Sequence, residues 1–97
     1  MEKFKLGQLV ATRGVSDRMQ HDLAFAAFVS KSIRRYKECD WGDSPTEDKA
    51  SNDAAVESGE DRIFAAYEQV GVKEPMKIWI ITEWDRSATT ILFPEEY

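Results

Sequence analysis

Apolar residues along the chain fall into three patterns: a period of two, a period near 3.6, and a stretch with almost none. The first is clearest at the C-terminal end. Lys77 to Trp84 and Thr89 to Phe93 are rich in β-branched and aromatic residues and are separated by Asp85-Arg86-Ser87-Ala88. Two such runs about a polar tetrad predict an antiparallel hairpin. Asp85 suits the first turn position, because its carboxylate can accept a hydrogen bond from the backbone two residues on. With the tetrad as the loop, Trp84 faces Thr89, Thr82 faces Ile91 and Ile80 faces Phe93. Ile78, Ile80, Thr82 and Trp84 then share one face, and Trp79, Ile81 and Glu83 the other. Both faces are apolar at mid-strand, which predicts a central strand covered on both sides.

The helical pattern lies in the first third. Gln8 to Thr12 reads as a strand, with Gly7 as a bend or bulge before it and Gly14 ending it. Ser16 then offers an N-cap oxygen, and Asp17 puts negative charge at the positive end of a helix dipole. From Asp17 to Lys37, Met19, Leu23, Ala26, Ala27 and Ile33 recur at spacings of three and four, and Phe25, Val29 and Tyr36 widen the stripe. Arg34, Arg35 and Lys37 close the helix with cations suited to its negative end.

The third pattern is polar. After the turn Asp40-Trp41-Gly42-Asp43, Ser44-Pro45-Thr46-Glu47 reads as a helix start. Ser44 caps, Pro45 occupies the first helical position, and Glu47 completes a capping box. This helix runs to about Ser58 and ends at a left-handed Gly59. Its only apolar residues are Ala50, Ala54, Ala55 and Val56, so it buries little and shows acidic surface to solvent. Asp61 to Val70 fits either period: Ile63, Tyr67 and Val70 suit a helix ending at Gly71, while Ile63, Ala65 and Tyr67 opposite Phe64 and Ala66 suit a strand. A central Lys77–Trp84 strand needs a neighbour on each side, and that favours the strand, joined to it by a hairpin loop over 71–75. The expected fold is α+β, in the order β-α-α-β-β-β, with an antiparallel sheet of three to four strands and two helices packed on it.

Composition adds bounds. Ninety-seven residues predict a single domain over 1–97, whose core removes roughly 65% of the unfolded surface from water. No apolar run approaches the ~20 residues of a membrane span, and the start of the chain is too short in apolar residues for a signal peptide. Cys39 is the only cysteine, which suits a reducing, cytoplasmic setting. Charge is unevenly spread. Residues 1–37 hold eight basic groups against three acids, a net +5. Residues 38–61 hold nine acids against Lys49 alone, a net −8. The remainder holds four basic groups against six acids, so the chain carries −5. Such a protein is repelled by nucleic-acid phosphates unless its cations converge on one face, and direct nucleic-acid binding is not expected.

Several blocks carry a resemblance. Leu6-Gly7-Gln8-Leu9-Val10-Ala11-Thr12-Arg13-Gly14-Val15, Asp40-Trp41-Gly42-Asp43 with Glu47-Asp48-Lys49, and Lys77 to Tyr97 with Trp79, Asp85-Arg86-Ser87, Thr89-Thr90 and Phe93-Pro94-Glu95-Glu96-Tyr97 resemble a family of short bacterial proteins labelled "plasmid-related protein". The likeness spans nearly the whole chain. The Thr-Arg-Gly-Val element and the Glu-Tyr ending are also similar, more weakly, to another plasmid-borne domain of unknown function. The resemblance implies a mobile-element setting (a plasmid, an integrated conjugative element or a prophage). It implies no activity and no site residues.

The candidate chemistry is sparse. His21 has no Ser-His or Cys-His motif to serve as a general base for. Cys39 lies between Glu38 and Asp40, which disfavour a thiolate. Asp40, Asp43, Glu47 and Asp48 could crowd around a hard cation, but not at calcium-loop spacing. No phosphate loop and no zinc spacing is present, so neither metal nor cofactor is expected. Lys31, Arg34, Arg35 and Lys37 read as a solvated helix end. The acids carry the sharper idea: Asp40, Asp43, Glu47, Asp48, Asp53, Glu57, Glu60 and Asp61 would imitate phosphates, with Trp41 as an aromatic anchor. Such a surface would occupy the cationic groove of a nucleic-acid-binding defence enzyme of the host. The expectation is therefore a non-enzymatic inhibitor of a CRISPR or restriction nuclease, and the alternative is a plasmid-maintenance accessory protein that pairs as a homodimer through sheet edges or aromatic residues.

Overall fold

A computed structural model describes residues 2–97 and is α+β, with three α-helices and a four-stranded mixed sheet. The strands are β1 (Gln8–Ala11), β2 (Ile63–Glu68), β3 (Lys77–Thr82) and β4 (Ala88–Leu92), in the order β1-β4-β3-β2. The helices are α1 (Arg13–His21), α2 (Leu23–Lys37) and α3 (Thr46–Ser58), and a short 3₁₀ turn, Pro94–Glu96, follows β4.

The C-terminal pattern reads through well. β3 lies between β2 and β4, antiparallel to both, and Asp61–Val70 supplies β2 as a strand. Ile78, Ile80 and Thr82 are fully buried on one face, and Ile81 is 7% exposed on the other. The register, however, pairs Ile80 with Ile91 and Thr82 with Thr89, two residues from the expected match. A slip of two keeps every side chain on its expected face. Hydroxyls decide the register: Thr82 Oγ1 and Thr89 Oγ1 lie 2.7 Å apart, and the Tyr36 hydroxyl lies 2.7 Å from Thr82 Oγ1. Pairing those groups inside the core is worth more than extending the strands by one pair. Trp84 is left in the loop, 67% exposed. The Asp85 carboxylate accepts from the Ser87 N–H at 3.0 Å, as the sequence predicts.

Three expectations need correction. The sheet is not purely antiparallel, because β1 runs parallel to β4 with Leu9 opposite Thr89 and Ala11 opposite Ile91. The predicted helix over 17–37 is two helices, broken at Asp22. That residue closes α1 and caps α2, accepting from the Phe25 N–H at 3.0 Å and from Arg18 Nε at 3.1 Å. An aspartate competes well with the helical backbone for such donors. The cap of α1 is Thr12, not Ser16, and Gly14 lies in its first turn. The break also resets the buried stripe of α2 to Phe25, Val29, Ser32 and Tyr36, and leaves Leu23 89% exposed.

The core forms where this stripe and Val15 of α1 meet Ile63, Ala65, Tyr67, Ile78, Ile80, Ile91 and Phe93. The other face is only partly covered: the Trp79 ring packs edge-on against Tyr97 (5.6 Å between centroids) and at a tilt against Phe64 (4.9 Å). Among the described residues no helix is long and apolar enough to cross a membrane.

Candidate functional site

The acidic segment runs from the end of α2, along α3, to the start of β2. What holds it is a cover over the outer edge of β2. Asp43 N–H donates to Ala66 O at 2.8 Å, Ala66 N–H donates to Ser44 Oγ at 3.0 Å, and Glu68 N–H donates to Asp43 Oδ2 at 2.8 Å. Midway along α3, the Asn52 amide replaces a missing strand: its Nδ2 donates to Phe64 O at 2.7 Å and its Oδ1 accepts from Phe64 N at 3.1 Å. α3 is thus anchored by Asn52 and Ala55, both buried.

This arrangement corrects the expected helix start. Pro45 is the cap residue and no side chain caps α3. The Ser44 hydroxyl instead donates to Trp41 O at 2.6 Å and serves β2, so the capping box with Glu47 does not form. Strand-edge donors won over helix-end donors because β2 is buried and α3's first turn faces water. Gly59 does close α3, with φ +74°.

The predicted site residues divide into two groups. Asp40, Asp43 and Asp53 have internal work. Asp40 accepts two bonds from Arg35, at 2.8 and 3.2 Å, and the guanidinium holds its carboxyl below the usual range despite partial desolvation. Asp53 Oδ1 accepts from Trp41 Nε1 at 2.8 Å. Trp41 itself is 3% exposed and packs on Tyr36 at 5.4 Å, so it braces the segment from beneath and presents no exposed anchor. Glu47, Asp48, Glu57, Glu60 and Asp61 form the second group. Their side chains are exposed, and among the described residues none makes an ion pair or accepts a hydrogen bond.

Two of those charges oppose their helix. Glu57 lies in the last turn of α3, which holds no basic residue, and Glu60 follows its end. Carboxylates there cost rather than gain a few tenths of a kcal/mol to about 1 kcal/mol against the helix dipole. The offset comes from across the fold: Arg86 Nη2 donates to Ala55 O at 2.9 Å and Arg86 Nη1 to Asp61 O at 2.7 Å.

The remaining candidates stay apart. His21 is exposed, with Nδ1 2.8 Å from Asp17 O. Cys39 is half-buried and burial pushes its thiol up, away from the thiolate. Among the described residues no three histidine, cysteine or carboxylate groups cluster as metal ligands do. Arg35 leaves the basic cluster for Asp40 and the Tyr67 ring (5.3 Å to its centroid), while Arg34 and Lys37 remain at the end of α2. Sequence reasoning missed Asn52 and Arg86. A lone asparagine in mid-helix, a poor helix former, was the one signal for the first. Comparison with family models, with characterised proteins and with solved structures finds no match to this chain.

Proposed function

We propose that this chain is a non-enzymatic binding protein of a mobile genetic element, and that it inhibits a nucleic-acid-binding defence enzyme of its host by seating its acidic segment in that enzyme's cationic groove. The observation that carries this is the second carboxylate group. Glu47, Asp48, Glu57, Glu60 and Asp61 are exposed and unengaged, the first three on a helix fixed to the sheet by Asn52 and the last two just past its end. A rigid support matters, since charges held in place lose less entropy on docking than charges on a mobile tail. Glu57 and Glu60 also stand where helix stability alone disfavours them, and partner attraction supplies a reason for them. The likeness to plasmid-related proteins supports the setting, and with it the class of partner.

Reversing these five carboxylates to lysine tests the reading. Nuclease inhibition in a transformation assay, and capture of the nuclease from a host carrying it, should both be lost while circular dichroism stays unchanged. Binding should also weaken steeply with salt, because the screening length falls from about 8 Å at ~0.15 M to about 3 Å at 1 M. A reversed chain that inhibits as well as the parent overturns the proposal.

A second reading, self-association in plasmid maintenance, draws support from one different observation. Among the described residues nothing covers the outer edge of β1, and Leu9 and Val10 beside it are 48% and 38% exposed. Light scattering across protein concentration tests it, and a monomer at every concentration removes it.

A further inference from the structure

The N-terminal segment, the C-terminal end of α2 and the β3–β4 loop line an open cavity of about 800 Å³. Five cations line it: Lys3, Lys5, Arg34, Lys37 and Arg86, against Glu2 and Glu38. In a chain of net charge −5, this convergence is the reverse of the average surface. Among the described residues only one ion pair relieves it, Lys3 with Glu38 at 3.7 Å. Lys5, Arg34 and Lys37 meet no carboxylate within ion-pair distance, and Arg86 spends its guanidinium on backbone carbonyls. Uncompensated like charges around a concave site cost energy that an anion returns on binding.

The cavity is built rather than incidental. Its N-terminal wall is pinned in three places. Phe4 packs edge-on against Tyr36 at 5.5 Å, Leu6 O accepts from Thr89 Oγ1 at 2.7 Å, and Gln8 N–H donates to Ser87 O at 3.0 Å. Gly7, at φ +66°, lies so close to the β3–β4 loop that a Cβ would sit 2.3 Å from Arg86 O, and only glycine permits the approach. Phe4 and Leu6, both half-buried, provide an apolar floor beneath the cations. A volume of this size, an apolar floor and a few convergent charges match sites for compact organic ligands.

We infer that this cavity binds a phosphate-bearing nucleotide unit, with Lys5, Arg34 and Lys37 holding the phosphates and Phe4 and Leu6 receiving the base or sugar. The guanidinium of Arg34 suits a bidentate grip on phosphate oxygens, and the two lysines supply point charges. The site is independent of the acidic segment and of the reading built on it. Its ligand chemistry has two sources, a free nucleotide or the phosphorylated end of a single strand.

Titration of the ¹⁵N-labelled chain with adenosine, pyrophosphate, ATP and a 5′-phosphorylated tetranucleotide tests the inference. Pyrophosphate and ATP should shift the amides of Phe4, Leu6, Arg34 and Lys37, ATP more tightly, and adenosine should not. Lys5→Gln with Arg34→Gln should weaken ATP binding at least about tenfold, while Lys31→Gln, outside the cavity, should not. Tighter binding of ATP assigns the free nucleotide, and tighter binding of the tetranucleotide assigns the strand end. Equal shifts at Lys73 and Lys77 would mean diffuse counterion attraction and overturn the site. So would adenosine binding as well as ATP, or no shifts at millimolar pyrophosphate and ATP.

Discussion

The sheet has two edges, and the chain treats them differently. Along β2, the outward N–H and C=O of Phe64 and Ala66 and the N–H of Glu68 find partners in Asn52, Ser44 or Asp43. Along β1, alternation leaves the N–H and C=O of Leu9 and Ala11 directed away from β4, with no protein partner among the described residues. Edges attract other strands, and a protein that seals one with buried side chains has spent packing to keep it closed. The difference teaches where the fold is fixed and where it stays available. The β2 edge carries the base of the acidic segment, so its seal also sets the aim of the charges, while the β1 edge is only four residues long.

The seal is where a single change should do most harm. Gly42 sits at φ +63°, where an added Cβ would meet Tyr67 Cδ1 at 2.4 Å and Ala66 O at 2.7 Å. Gly42→Ala combines left-handed strain with overpacking of a buried ring, and should cost about 3 kcal/mol in a urea melt. A cost below about 1 kcal/mol would mean the 42–44 cover is loose.

Asn52→Ala comes next. It orphans both backbone groups of Phe64 on the strand's edge and should cost about 2 kcal/mol. Ser44→Ala should cost about 1 kcal/mol, and here the readout matters more than the size. If Ser44 serves β2, hydrogen exchange accelerates at Ala66 while α3 keeps its helicity. Loss of helicity with Ala66 still protected would restore Ser44 to the helix cap.

How much of this the sequence carries depends on the range of the interaction that decides it. β3, β4 and α3 were legible because their signals are local: a run of β-branched residues, a tetrad with Asp85, a glycine at 59. The parallel pairing of β1 with β4 was not, because strand direction follows from how α1 and α2 cross the sheet. The helix break at Asp22 left a trace, an aspartate preceding an apolar stripe, but the stripe's continuity hid it. Of the predicted site residues, exposure was legible for Glu47, Asp48, Glu57, Glu60 and Asp61. The internal duties of Asp40, Asp43, Asp53 and Trp41 were not, since each depends on a partner 12 to 25 residues away or on a bend in the chain. The cationic cavity was hidden for the same reason: its cations come from three separate segments.

The β1 side is held by the chain's far end. The Glu96 carboxylate accepts from Thr12 Oγ1 at 2.6 Å, Phe93 N–H at 2.9 Å and Gly14 N–H at 3.1 Å. Desolvation raises its pKa, but those bonds outweigh it and leave the carboxyl below its usual value. A depressed folded-state pKa stabilises above the unfolded value and is lost as pH falls through the folded one. The parent should therefore lose stability on acidification below the ordinary glutamate range more steeply than Glu96→Gln. Parallel acid profiles for the two would mean the ties do not hold in solution.

The smallest effect on stability belongs to the open edge, and it separates the two functional readings most cleanly. Leu9 and Val10 are exposed, so Leu9→Lys or Val10→Lys should change the unfolding free energy by no more than about 0.5 kcal/mol. Lysine on an edge nonetheless opposes strand addition, because pairing would desolvate its charge beside the new partner. If two copies join through β1, the parent should show slow exchange at the Leu9 and Ala11 amides at high concentration and fast exchange on dilution. Each lysine variant should then stay monomeric by light scattering and lose that protection. If the acidic segment is the working surface, both variants should inhibit the nuclease as the parent does, and reversal of Glu47, Asp48, Glu57, Glu60 and Asp61 should leave the oligomeric state untouched. Loss of inhibition in Val10→Lys, with the acidic reversal still active, would move the contact surface to the β1 edge and end the charge-mimicry reading.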